Sequence, residues 1–143
     1  MKWFESHEKG VVIVSLSSGE LLLESVHAAV REASLHTGVV MTGIGSLSVG
    51  RIHTVGTNEL PPEELFLDLP GPLEVTSFSG IIANYESHLH ISLMDQAGKC
   101  YGGHLEKGCS VLTLSEISIM RLPDLRLIRR KGDGDIFRTL YPE

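Results

Sequence analysis

From His88 to Leu105 the chain reads HLHISLMDQAGKCYGGHL, and this stretch limits the fold more than any other. Leu89, Ile91 and Leu93 are aliphatic while His88, His90 and Ser92 are polar, a period of two that belongs to a strand with one face in a core. Asp95-Gln96-Ala97-Gly98 supplies turn chemistry and Lys99 to Leu105 a second strand, so the segment predicts an antiparallel hairpin. The side on which His104 emerges depends on the loop. A two-residue loop at Gln96-Ala97 pairs it with Leu89 and turns it inward, whereas a three-residue loop, Gln96-Ala97-Gly98, pairs it with His90. Gly98 favours the second, because such loops end on a residue with positive φ, which glycine adopts cheaply, and Asp95 suits the first turn position. His90 and His104 then stand opposite each other with Cβ atoms about 5 Å apart, and His88 lies diagonally at about 7 to 8 Å. Gly102 and Gly103 either insert a bulge or give the backbone room to aim the ring.

Three neutral imidazoles suit zinc, with a fourth position left for water, a carboxylate or a substrate atom. One Zn2+ per subunit, held by His88, His90 and His104, is the expectation. In this register Glu106 falls opposite His88, where it is either a fourth ligand or an acceptor for an imidazole N–H. A bare His-x-His is more often an ordinary exposed strand face; the third histidine, placed by the turn, moves the reading to metal. His53 is a lesser candidate, and His7, His27 and His36 read as surface or helix residues. Cys100 shares the parity of His104, but a lone thiol is more often a buried hydrophobe. No GxSxG elbow, Walker lysine or dinucleotide fingerprint is present, so the catalytic residues are not identified and an enzyme is the less favoured class.

The 143 residues, 42% hydrophobic and 21% charged, suffice for one domain over residues 1–143. Val11 to Leu16 reads as a strand. Ser17 and Glu20 suggest a capping box for a helix with Leu22, Val26, Ala29, Val30 and Ala33 on one face, and Gly38 fits its stop. Val39 to Met41 begins a strand whose glycines Gly43, Gly45 and Gly50 mark bends or bulges at a close packing point. Asn58 to Pro72, with four prolines, reads as a loop pressing Leu65, Phe66, Leu67 and Leu69 inward. Strands at Leu73 to Ala83, His88 to Met94, Lys99 to Leu105 and Val111 to Leu122 follow. In the last, the apolar phase changes from Leu112 and Leu114 to Ile117 and Ile119, which predicts a bulge near Ser115 and Glu116. Arg126 to Lys131 reads as a solvated strand end or tail. The order gives an α+β domain, a central, mostly antiparallel sheet with a helix packed on one side.

A net charge of −6 and a pI near 5.6 run against the basic surface that nucleic acid requires. DNA binding by an assembly would need Arg51, Arg121 or Arg129 to gather on one surface. Cys100 and Cys109 form no CxxC pair and read as reduced thiols, which points to the cytoplasm. No apolar run approaches a bilayer span, so no membrane anchor is expected.

Gly43-Ile44-Gly45-Ser46-Leu47, Leu73-Glu74-Val75-Thr76-Ser77-Phe78-Ser79-Gly80, His88-Leu89-His90-Ile91-Ser92-Leu93 and Gly102-Gly103-His104-Leu105-Glu106-Lys107-Gly108-Cys109 resemble, in order, the PPC (plants and prokaryotes conserved) domain. The resemblance covers most of the chain, from Val11 to Leu122. It implies an α+β fold with a central antiparallel sheet and a homotrimer in which sheet edges of neighbouring subunits meet. In plants the domain follows AT-hook segments that bind the minor groove of A·T-rich DNA, and stand-alone prokaryotic copies carry a DNA-binding label by association. This chain has no Arg-Gly-Arg-Pro hook and reads Gly71-Pro72-Leu73-Glu74-Val75-Thr76 where the plant motif is Gly-Arg-Phe-Glu-Ile-Leu. Prokaryotic members are similar at HLH and GGH, and His88, His90 and His104 match the positions that look like a metal site in that branch. The function expected is a zinc-binding trimeric module for assembly or sensing of an unknown small molecule. The alternatives are a DNA-binding or transcription-associated protein, and a zinc-dependent hydrolase or lyase with Glu106 as a base.

Overall fold

Every strand pairing in the computed structural model, which describes residues 1–143, is antiparallel. Seven strands make one sheet, in spatial order β1 (Lys2–Ser6), β2 (Val11–Ser17), β7 (Ser110–Arg121), β3 (Thr37–Val55), β4 (Glu64–Ala83), β5 (Glu86–Asp95) and β6 (Cys100–Leu105). β6 returns to β3 through Ile52–Leu105 and His53–His104, so β3 to β6 close into a ring. One helix, α1 (Leu22–Glu32), buries Leu22, Leu23, Val26, Ala29 and Val30 in the cluster that holds Val12, Val14 and Leu16 of β2 and Ile117 and Ile119 of β7. β8 (Leu127–Arg130) and β9 (Thr139–Pro142) form a separate two-stranded sheet. The result is the expected α+β arrangement. No helix is long and apolar enough to cross a membrane.

Several local expectations are corrected. The helix starts at Leu22, with Leu21 as a cap that makes no side-chain bond, not at Ser17. The Glu20 carboxylate does accept the Ser17 N–H at 2.7 Å, but it closes the turn after β2. The helix stops at Ser34, not Gly38: Ser34 takes φ 50°, its N–H donates to the Arg31 carbonyl and that of Leu35 to Val30, the paired bonds of a Schellman end. Gly38 lies in β3, where a Cβ would meet Leu35 Cδ2 at 2.7 Å and the Met120 carbonyl at 2.8 Å.

The proline-rich loop is shorter than expected, because β4 already begins at Glu64 and pairs with the end of β3 to form a hairpin arm. On it Leu65 and Phe66 are exposed and, of the four, only Leu69 is buried. In β7 the apolar phase does not switch. Val111, Ser115, Ile117 and Ile119 are buried, Leu112 and Leu114 face the other side, and pairing with β2 runs unbroken from Val11–Met120 to Ser17–Leu114. The irregularities lie on the opposite flank, where the register against β3 shifts at three places, one of them between Gly45–Ser115 and Leu47–Val111, beside the expected bulge. Gly45 is needed there, since its φ is 153° and a Cβ would meet the Leu114 carbonyl at 2.6 Å. Lys2–Ser6 and Thr139–Pro142 are strands that no sequence signal announced, and the basic run at Arg126 is largely β8.

Candidate metal centre

The hairpin of β5 and β6 has the three-residue loop. Asp95 N–H donates to Lys99 O at 3.0 Å, Gly98 N–H donates back to Asp95 O at 2.9 Å, and Gly98 takes φ 78°. The Asp95 carboxylate accepts the N–H groups of Ala97 and Lys99 and the Tyr101 hydroxyl. These bonds, that from Lys99 foremost, hold its pKa below the usual carboxylate range. With the loop fixed, His90 pairs with His104, while Leu89, Ile91, Leu93 and Leu105 enter the core. Three imidazoles meet on the outer face. Ring centroids are 4.8 Å apart for His88 and His104, 5.5 Å for His90 and His104, and 5.4 Å for His88 and His90. Each ring offers a nitrogen within 4.8 Å of the others.

Glu106 is not opposite His88. The β5–β6 ladder ends at His90–His104, after which the chain crosses to β3 and Glu106 N–H donates to the Arg51 carbonyl. The crossing depends on Gly103, whose backbone lies against the His53 carbonyl so closely that a Cβ would overlap it. Gly102 and Gly103 insert no bulge into the ladder with β5. In consequence His53, the lesser candidate in the sequence, stands opposite His104 with ring centroids 4.6 Å apart. The Glu106 carboxylate lies 2.7 Å from His53 Nδ1. A carboxylate only accepts, so His53 Nδ1 carries a proton and donates it to Glu106. His53, His104 and Glu106 make a second set of donors within 4.8 Å of one another, sharing His104 with the first.

The electrostatics suit ligand nitrogens. Burial, then the charge of Arg129, lowers the pKa of His88, and burial, then His53 and His88, lowers that of His104 to about 4. Both rings are neutral at neutral pH, as a coordinating imidazole must be. The rings line an open cleft of about 400 Å³, with Val55, Pro62 and Glu64 from the β3–β4 arm and Phe137 from the C-terminal segment. A nitrogen-rich donor set of this kind fits zinc better than calcium or magnesium, which take oxygen.

The remaining candidates stand elsewhere. Cys100 is exposed, not a buried hydrophobe. The buried thiol is Cys109, which donates to the Arg51 carbonyl at 3.3 Å and whose pKa burial pushes up to about 11. His36 is buried, not a surface residue, with its ring edge on Tyr85 and Nδ1 3.0 Å from Thr37 Oγ1. Arg51, Arg121 and Arg129 do not offer a common free surface. Arg51 is paired with Asp68, Arg121 with Glu5 and the carbonyls of Ala33 and Ser34, and Arg129 with the carbonyls of Ile81 and Glu86.

A largely antiparallel fold of this kind is shared with known proteins. Residues 4–123 match the model of the Plants and Prokaryotes Conserved (PCC) domain, and the chain belongs to that family. A bifunctional protein GlmU from Synechococcus is 30% identical over 126 residues, which are 88% of this chain but 19% of that protein. The chain thus spans about a fifth of the curated relative it matches. Among solved structures, a hypothetical protein from Salmonella enterica is 27% identical with TM-score 0.83, over 93% of this chain and 92% of that one. The metal-containing protein AF0104 from Archaeoglobus fulgidus is 23% identical with TM-score 0.80, over 99% of both chains. A candidate DNA-binding protein from Bacteroides thetaiotaomicron is 17% identical with TM-score 0.85, over 98% of this chain and 96% of that one.

Proposed function

We propose that the protein is a zinc-binding PCC-domain module in which His88, His90 and His104 hold one Zn2+ per subunit, and that it works as a homotrimer in assembly or ligand sensing. The observation that carries the reading is the convergence of three imidazoles, His88, His90 and His104, on one strand face. The metal-containing Archaeoglobus protein of the same fold supports it. When bound, zinc supplies Lewis acidity in a site with an open fourth position. Of the chain's own residues, the turn at Gly98 sets the register that opposes His90 to His104, Gly103 admits β6 to β3, and Glu106 fixes the tautomer of His53 beside the site.

Trimer formation draws support from apolar side chains left at the surface. Phe4, Ile13, Ile44, Leu112 and Leu114 are exposed on the sheet, and Val55, Leu60, Leu65 and Phe66 on the arm. Clustered exposure of large apolar groups marks association surfaces. Light scattering on the purified chain is expected to give three times the monomer mass; a monomer at micromolar concentration excludes the trimer.

The metal assignment is tested by elemental analysis of the purified protein and of His90→Ala. We expect about one zinc per chain in the first and near none in the second. Undiminished zinc in the variant rules out this site. The DNA-binding reading rests on the family and on the Bacteroides neighbour, and no feature of the acidic surface favours it. A gel-shift assay at two salt concentrations decides it, since phosphate contacts weaken as salt rises.

A further inference from the structure

The three-histidine face is built from two residues two apart on one strand, His88 and His90, and a third, His104, opposite His90 on the next. The same construction occurs again on the other side of His104. His104 and Glu106 are two apart in the chain, and His53 of β3 stands opposite His104. Glu106 follows β6, with its N–H held by the Arg51 carbonyl at 3.0 Å. Residues two apart share a face and a cross-strand partner stands beside them, so both sets converge on His104.

The second set is the more sheltered. His53, His104 and Glu106 are all half-buried, whereas His88 and His90 are exposed. One donor atom from each of the three lies within 4.8 Å of the others. Phe66, the β4 partner of His53, packs on that ring with centroids 5.2 Å apart. Glu106 has no lysine or arginine partner. Its one ion pair is with His53 Nδ1 at 2.7 Å, and Arg51 turns its guanidinium to Asp68 instead. A carboxylate that accepts from a single imidazole N–H has lone pairs to spare for a cation.

We propose that His53, Glu106 and His104 form a second metal position, alternative to the three-histidine one, for a divalent first-row transition metal. Two imidazoles and a carboxylate are the donor set of hydrolytic zinc centres and of ferrous oxygenase centres. A neutral imidazole has one lone pair, so His104 serves one ion at a time and the two positions exclude each other. The second is also the weaker. His53 Nδ1 is turned to the carboxylate, so an ion held by both replaces the proton between them, which leaves to solvent. That exchange sacrifices a charge-assisted hydrogen bond, and the position is expected to be empty after purification and to fill on titration. The inference rests on the metal reading above in one respect, that His104 is a ligand in both positions.

The experiment is a titration of metal-free protein with Co2+, followed by visible absorption. In His88→Ala/His90→Ala protein about one Co2+ per chain is expected to bind, at least about tenfold more weakly than in the wild type. Adding Glu106→Gln should weaken binding at least about tenfold again, and Glu106→Asp should restore part of the loss. Nitrogen-edited NMR gives a second readout. Zn2+ should erase the His53 Nδ1 proton signal in the double variant and leave it in the wild type. No Co2+ binding by the folded double variant, unchanged affinity after Glu106→Gln, or a His53 proton that persists in the double variant at saturating Zn2+ overturns the second position. Two ions per wild-type chain overturn the mutual exclusion. The two readings fail separately. A double variant that binds nothing, beside a wild type that loads one zinc, sinks only the second position. Loss of the purified zinc in Glu106→Gln protein with His53, His88, His90 and His104 intact sinks the three-histidine assignment and supports the second position. Should the double variant not fold, His90→Ala, altered at one exposed position, carries the same titration.

Discussion

In the helix-backed half of the molecule, Val12, Val14 and Leu16 of β2 and Ile117 and Ile119 of β7 turn one face towards α1, and the other face carries Ile13, Ser15, Glu116 and Ser118. In the ring of β3 to β6, Ile52, Leu89, Ile91, Leu93 and Leu105 fill the core in the same way, but the outer face carries His53, His88, His90 and His104. Both halves obey the same alternation. The inner positions contribute stability through burial, and the outer ones are free to carry chemistry. The comparison teaches that stability and metal binding should separate by parity along the strands.

Substitutions can break or sharpen that contrast. The largest effect is expected for Ile117→Ala, whose side chain is fully buried in the core. Removing it should cost about 2 to 5 kcal/mol in a denaturant melt through lost burial and a cavity. Zinc content below the transition should be unchanged; a loss of metal would join the two halves. Gly103→Ala comes next, because the new methyl overlaps the His53 carbonyl at the β3–β6 contact. A cost of about 1 to 3 kcal/mol is expected from overpacking. Zinc should be lost with it, since His104 moves; normal zinc binding in this variant would show that the ring closure is dispensable.

A pH series on metal-free protein sharpens the electrostatic side. His104 titrates at about 4 in the folded state against 6.5 unfolded. Between those values the unfolded chain holds a proton that the folded chain lacks, so stability falls as pH drops through this window and is unaffected by this group above it. His104→Gln should flatten the decline; an equally steep profile in the variant would assign it elsewhere. Smaller still is the effect of His90→Ala on the melt of metal-free protein. His90 is exposed on the strand, so a change within about 0.5 kcal/mol is expected, as for other surface positions. The smallest perturbation is chemical labelling. Exposed Cys100 should react with a thiol reagent in the folded protein while Cys109, 0% exposed, should not. Two fast thiols would mean that the β3–β7 packing around Cys109 opens readily.

Much of the ring was legible because its determinants are local. Asp95 and Gly98 select a loop, the loop sets the register, and the register sets which side chains share a face. Glu106 was misplaced because that logic assumes β6 stays beside β5, and the crossing to β3 is a contact between residues far apart in sequence. His53 was undervalued for the same reason. The helix cap was read one turn early because Ser17 and Glu20 form a real side-chain bond that serves a turn and not the helix. Leu112 and Leu114 were read as core because aliphatic identity alone does not say which face of a sheet is covered.

The sequence by itself determined the strand alternation, the hairpin register at Gly98 and the shared face of His88, His90 and His104, since period-two geometry and turn conformation act over a few residues. Only the tertiary structure decided that β6 leaves its hairpin partner to close a ring, that Glu106 serves His53, and that the tail brings Phe137 to the cleft. Those arrangements join segments distant in the chain, and such joins are fixed by how whole surfaces bury one another, which no local pattern encodes.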